Sequence, residues 1–272
     1  MSIIDQGSLQ IDVTEDGAGP PVVLVHSSVS GNRQWKKLTE QLRDRYRVIA
    51  PNLYGYGGTT AWTESKGPQS LRAAALPVLA VAQQIDGPFY LVGHSWGGVI
   101  ALHAAAILRE RVSRLVLFEP MIPPALREHG RHAGWAEVEA LYNDVKRLGG
   151  AGQWDALAQR FTIYFNGDDA WETTPAGRRM ALAALLRPNF YEWDFIRDAI
   201  TLHDFKSITA HTLIMRSADT RSALREMVEL IREHYPHWSF AEIQAGGHMA
   251  PLARPDLVNP VIADFLDSDR QL

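Results

Sequence analysis

Short apolar runs rich in β-branched residues recur along the chain at 22–26, 46–50, 89–93, 114–118, 212–216 and 238–243, each bounded by turn residues. They lack the period-2 alternation of a strand with one wet face, which fits strands of a parallel sheet covered on both sides. Patterns of helical period lie between them at 34–43, 71–84, 95–109, 221–234 and 256–266, with Pro77 a kink or boundary in the second. Strand and helix therefore alternate as an α/β, mostly parallel, doubly wound sheet requires. From 121 to 211 the pattern changes to helical periodicity without a convincing strand, and aromatics accumulate, among them Trp135, Tyr142, Trp154, Phe161, Phe165, Trp193 and Phe195. A structureless loop of that length is uncommon in a compact domain. The stretch thus predicts a helical cap or lid inserted into a core domain made of residues 1–120 and 212–272. Most of its aromatics are expected to pack the insertion on the sheet and the rest to line a pocket.

Composition narrows the chemistry. The 272 residues include no cysteine, which excludes a disulfide scaffold, a thiolate metal centre and a thiol nucleophile, so covalent chemistry must use another side chain. A formal charge of −4, with Lys and Arg scattered, argues against a nucleic-acid partner. The first seventeen residues lack the basic and apolar regions of a signal peptide, and no window approaches a membrane span. The expectation is a cytoplasmic protein. Its oligomeric state is not readable from these residues.

One hexapeptide carries the chemistry. Gly93-His94-Ser95-Trp96-Gly97-Gly98 follows the apolar residues 89–92 directly and opens a helical pattern. A sharp strand-to-helix turn forces its central residue into strained backbone and exposes its side chain, and glycines two before and two after remove the steric conflict. Ser95 is therefore the candidate nucleophile. The helix start behind it supplies N–H groups and a positive dipole end where an oxyanion would develop, with the Trp96 N–H as one donor. By contrast, Gly55-Tyr56-Gly57-Gly58 lacks the full glycine spacing of a nucleotide loop, and no G-x-x-x-x-G-K-S/T occurs. No cofactor is implied. The pairs His129/His132 and His234/His237 have no clear third ligand, so no metal is expected.

With the elbow in place, the chain resembles the α/β-hydrolase family over nearly its whole length. His26-Ser27-Ser28 after the first strand is similar to the family's His-Gly-x oxyanion loop, and Pro51-Asn52-Leu53-Tyr54-Gly55-Tyr56-Gly57 is similar to its Pro-Asp-x-x-Gly-x-Gly. The resemblance implies that the Ser28 N–H is the second oxyanion donor. It departs from the family at Ser27, where Gly is usual, and at Asn52, where Asp is usual. The same resemblance implies His248, in Gly246-Gly247-His248-Met249-Ala250-Pro251, as the catalytic base, because the fold uses the chain order Ser, then Asp or Glu, then His. Asp219, after the penultimate strand, stands where the family usually places the acid that orients the base, although Arg216 replaces the glycine expected before it. Glu119, in Leu117-Phe118-Glu119-Pro120, is the alternative acid, the position used by a branch of the haloalkane dehalogenases.

The expected function is a serine hydrolase that cleaves a small to medium carboxylic ester with a hydrophobic portion through an acyl-enzyme on Ser95. Carbon–carbon bond hydrolases, lactonases and perhydrolases with the same triad are the alternatives, since these motifs do not separate them. Outside enzymes, a ligand-binding module that kept the fold is the remaining possibility.

Overall fold

All six apolar runs become strands, and two more strands precede them. The computed structural model of the chain describes residues 2–268; residue 1 and residues 269–272, at the ends of the expected core domain, lie outside the described residues. The strands are β1 (Ser2–Gln6), β2 (Leu9–Asp16), β3 (Pro21–Val25), β4 (Arg47–Pro51), β5 (Phe89–His94), β6 (Val112–Phe118), β7 (His211–Ser217) and β8 (Ser239–Ile243). They form one sheet in the order β1-β2-β4-β3-β5-β6-β7-β8, antiparallel at β1/β2 and β2/β4 and parallel from β4 to β8. The helices are α1 (Lys36–Leu42), α2 (Leu71–Ala74), α3 (Leu76–Gln83), α4 (Trp96–Leu108), α5 (Pro123–Glu128), α6 (His132–Gly150), α7 (Trp154–Asn166), α8 (Ala170–Thr173), α9 (Ala176–Glu192), α10 (Ser222–His234), α11 (Ala250–Ala253) and α12 (Pro255–Asp267).

Burial on both faces explains the unbroken apolar runs. In β3, Val22 and Leu24 join a core with Leu38 and Leu42 of α1 and with Val258, Ile262 and Leu266 of α12. Val23 and Val25 point the other way, into the core that holds α2, α3, α4 and α10. Alternate residues of one strand thus feed two cores, and no wet face remains to impose polarity. The helix expected at 71–84 is two helices, because Pro77 stands in the first turn of α3 where its missing N–H costs nothing.

The N-terminal hairpin was not among the expected strands. Leu9, Ile11 and Val13 of β2 are buried while Gln10 faces out, so its signal is the period-2 alternation of a strand near the sheet edge rather than an apolar run. Gly7, at φ 72°, makes the turn between β1 and β2.

Between β6 and β7 the chain runs through α5 to α9 and two short 3₁₀ turns at 193–197 and 202–205. This insertion joins the larger of the two cores through Leu141, Val145, Leu157, Leu186, Phe195 and Phe205. Among the described residues, no helix is long and apolar enough to cross a membrane.

Candidate active site

Parallel register decides which loops meet. β5 lies between β3 and β6, and β6 pairs with β7, with His94 opposite Phe118 and Phe118 opposite Met215. Ser95 and Glu119, just past β5 and β6, and Ser217, the last residue of β7, therefore emerge side by side at the carboxyl edge of the sheet, where ligands of open α/β sheets bind.

Ser95 sits at φ 57° and ψ −118° between β5 and α4. An L residue occupies that region only where the surroundings hold it. Its N–H donates to the Phe118 carbonyl at 3.0 Å, and its own carbonyl accepts from Gly98, Val99 and Met121. A Cβ on Gly97 would stand 2.3 Å from the His26 carbonyl oxygen and 2.5 Å from that of Val25, and one on Gly93 would stand 2.5 Å from the Gly97 carbonyl oxygen. The elbow is therefore packed backbone against backbone, which is why both positions are glycine.

His248 lies in a 3₁₀ turn at 247–249, preceded by Gly246 at φ 113°. Its Nε2 is 2.8 Å from Ser95 Oγ and its Nδ1 is 2.8 Å from Glu119 Oε2. With Nδ1–H donated to the carboxylate, Nε2 is left as the acceptor that a serine hydroxyl needs. Phe165 of α7 stacks on the imidazole at 5.0 Å between ring centroids, shielding it with an apolar face. Behind it, His94 Nε2 donates to the His248 carbonyl at 2.8 Å while His94 Nδ1 accepts from the Gln34 amide at 3.0 Å. Burial, reinforced by nearby His248, holds His94 well below the usual imidazole range, and burial brings His26 down to about 4. His26 Nε2 accepts the Leu53 N–H and its Nδ1 donates to the Ser27 carbonyl, so both histidines are neutral struts of the loops.

The acid beside His248 is Glu119, not Asp219 as first expected. Glu119 is 1% exposed, at φ 43°, and its carboxylate accepts the Ser217 N–H, the Thr220 hydroxyl and His248 Nδ1–H, each at 2.8 Å. Asp219 is exposed, and its carboxylate accepts the Ser217 hydroxyl and the N–H groups of Gly246 and Gly247. These donors, the Ser217 hydroxyl foremost, hold the Asp219 carboxyl below its ordinary range. Asp219 thus shapes the loop that carries His248, while Glu119 touches the imidazole. One signal pointed there: a carboxylate directly after the buried run 115–118 has to find donors.

The two departures from the family pattern also find partners. The Ser27 hydroxyl donates to Gln34 Oε1 at 2.8 Å, the acceptor that also takes the Ser27 N–H at 2.9 Å and the Ser30 hydroxyl at 2.8 Å. Asn52 donates to Asp12 Oδ2 at 2.9 Å, and the same oxygen accepts the Gly58 N–H. The charge absent at position 52 is therefore supplied from β2.

A cavity of about 890 Å³ opens above Ser95 and is lined by Ser28, Trp96, His248 and residues of the insertion, including Phe161, Phe165, Leu185, Trp193 and Phe195. Trp96 opens α4, so its N–H has no intrahelical acceptor. Ser28 lines the same wall, and its hydroxyl donates to Glu192 Oε2 at 2.5 Å. Gln34, Asn189 and Glu192 were not among the expected site residues, since nothing in their local sequence marks them. Of the histidine pairs, His129 and His234 meet ring to ring at 4.6 Å, with His234 Nδ1–H donated to the Leu230 carbonyl. Among the described residues no group of three potential metal ligands forms.

Residues 22–261 match the profile of the alpha/beta hydrolase family. The chain belongs to that family. A lipase, LipV of Mycobacterium tuberculosis, is 34% identical to this hydrolase over 275 residues, covering 92% of this chain and 94% of the relative. A 2-hydroxy-6-oxo-6-(2'-aminophenyl)hexa-2,4-dienoic acid hydrolase of Metapseudomonas resinovorans is 25% identical, covering 88% of this chain and 85% of its own. Among solved structures, an esterase of Exiguobacterium antarcticum superposes on this hydrolase with a TM-score of 0.77 at 23% identity, covering 96% of each chain. That likeness carries the fold.

Proposed function

We propose that this hydrolase cleaves a small to medium carboxylic ester with a hydrophobic portion through an acyl-enzyme on Ser95, under a cap formed by residues 121–211. The observation that carries the reading is the unbroken line of hydrogen bonds from Ser95 Oγ through His248 to Glu119, at the floor of a cavity with apolar walls. His248 Nε2 takes the Ser95 proton as Oγ attacks the carbonyl carbon, and the buried Glu119 stabilises the imidazolium. The N–H groups of Trp96 and Ser28 receive the oxyanion, at the positive end of α4. His248 then returns its proton to the leaving alcohol, and a water activated by the same imidazole releases the acid. Support for an ester comes from the lipase relative.

Carbon–carbon bond hydrolysis is the second reading, supported by the dienoic acid hydrolase relative. The test is treatment with a fluorophosphonate, mapping of the adduct by mass spectrometry, and a chromogenic ester panel run on the wild type and Ser95→Ala. An adduct on Ser95 and ester turnover lost in Ser95→Ala are expected. An adduct without ester turnover favours the second reading, and no adduct on Ser95 overturns both.

A further inference from the structure

Glu192 is a buried carboxyl in the cavity wall that takes no part in the line through Ser95. It ends α9, is 4% exposed and lies beside Ser28. Its Oε2 accepts the Ser28 hydroxyl at 2.5 Å and the Asn189 amide at 3.1 Å, and Asn189 Oδ1 accepts the Trp193 indole N–H. From the other side, the Tyr56 hydroxyl accepts the Val29 N–H at 2.9 Å and faces the same carboxyl. Val29 stands at φ 59°, a conformation costly for a β-branched residue unless its surroundings enforce it. The Ser28–Val29 segment is therefore held by a side chain of the insertion and a side chain of the loop after β4.

We propose that Glu192 is a positioning residue, fixing the oxyanion-side loop through the Ser28 hydroxyl, and that its neutral form is the competent one. The inference rests on the acyl-enzyme reading above, in which the Ser28 N–H receives the oxyanion. Negative charge developing there would be repelled by a carboxylate one hydrogen bond away and tolerated by a neutral carboxyl, more so in a site of low dielectric. Burial pushes Glu192 up to about 7, against the opposing hydrogen bonds from Ser28 and Asn189. The groups that face it from each packed element hold their charge state near neutrality. Burial keeps Tyr56 well above its usual range, and His26, edge-on to Tyr56 at 4.8 Å, is neutral down to about 4. Asn189, Trp193 and Ser28 carry no charge. His248 lines the same cavity and is common to the wild type and every Glu192 variant, so comparison with the wild type isolates Glu192.

The experiment is steady-state hydrolysis of the best p-nitrophenyl ester between pH 5.5 and 9 by the wild type, Glu192→Gln, Glu192→Ala, Ser28→Ala and the last two combined. Glu192→Ala and Ser28→Ala are expected to lower kcat about ten- to a hundredfold with KM moved less than about threefold, and not to add when combined. Glu192→Gln keeps the acceptor without the charge, so it should restore most of that loss. Its kcat relative to the wild type should climb about tenfold from pH 6 to pH 8.5, as the native carboxyl ionises. A Glu192→Gln profile parallel to the wild type, or alanine variants with unchanged kcat, overturns the inference. Should Glu192→Ala fail to fold, Glu192→Gln and Ser28→Ala decide alone. Fluorophosphonate labelling of the same samples keeps the two readings apart: an unlabelled, inactive wild type sinks the acyl-enzyme, whereas a labelled, active one indifferent to Glu192 sinks only this inference.

Discussion

Glu119 and Asp219 differ in what their carboxylates must satisfy. Glu119 is sealed from water and holds three donors, one of them the imidazole of His248. Replacing it with Gln removes the charge that selects the Nδ1–H tautomer, and in a triad that change costs about 10⁴ in kcat. Asp219 is exposed, and its carboxylate accepts from two backbone N–H groups and a serine. Asp219→Asn should therefore lower kcat less than about tenfold, a loss of loop order rather than of charge. Chromogenic ester kinetics on both variants give the answer, and the reverse ranking would return the acid role to Asp219. Sequence offered both carboxylates at the ends of adjacent strands. The family resemblance ranks Asp219 first, and the structure reverses that order, because the choice depends on which oxygen lies within hydrogen-bond reach of an imidazole more than a hundred residues away in one case.

At the scale of elements, the elbow shows how a local pattern can determine a local shape. Ser95 takes positive φ because β5 must turn into α4 within one residue, and Gly93 and Gly97 let carbonyl oxygens of β3 and α4 approach. Gly97→Ala would bring a methyl against two backbone oxygens of the β3 end, neither able to rotate away. A loss of about 1–3 kcal/mol in stability is expected, with ester turnover falling further than the folded fraction, measured by urea unfolding beside activity. A variant as stable and active as the wild type would mean that the elbow can relax. The insertion behaves differently. Its aromatics are legible as a class, yet Phe161, Phe165, Trp193 and Phe195 reach the cavity while Tyr142, Tyr164 and Phe205 are buried in the core. Helical period marks a buried face without saying which neighbour buries it.

For the whole molecule, two buried histidines and a buried carboxyl set opposing pH dependences. His26 has a folded value of about 4, below the ordinary 6.5. As pH falls from about 6.5 the unfolded chain takes up a proton that the folded chain refuses, so stability drops, by about 3 kcal/mol near pH 4. His94 acts in the same direction. Glu192 has a folded value of about 7, above the ordinary 4.5. Between 4.5 and 7 the unfolded chain ionises first, so this contribution falls as pH rises and is lost above 7. Glu192→Gln should then gain about 2 kcal/mol on the wild type between pH 5 and pH 8, read from urea midpoints at both. An equal difference at both values would show that Glu192 ionises as freely in the fold as in the unfolded chain.

Hydrophobic pattern and glycine spacing determined the parallel sheet, the elbow at Ser95 and the helical character of the insertion, because each depends on contacts within a few residues or on burial that every residue of a strand reports. In the hairpin, the alternation of Leu9, Ile11 and Val13 marks β2, and a reading built on unbroken apolar runs passes over it. Only the tertiary structure decided that Glu119 is the partner of His248, that Asp12 supplies the charge absent at Asn52, and that Glu192 grips the Ser28 loop. Each of these joins residues 40 to 164 positions apart. Sheet register and the packing of the insertion fix such distances to within an ångström, and a hydrogen bond exists or fails on that scale.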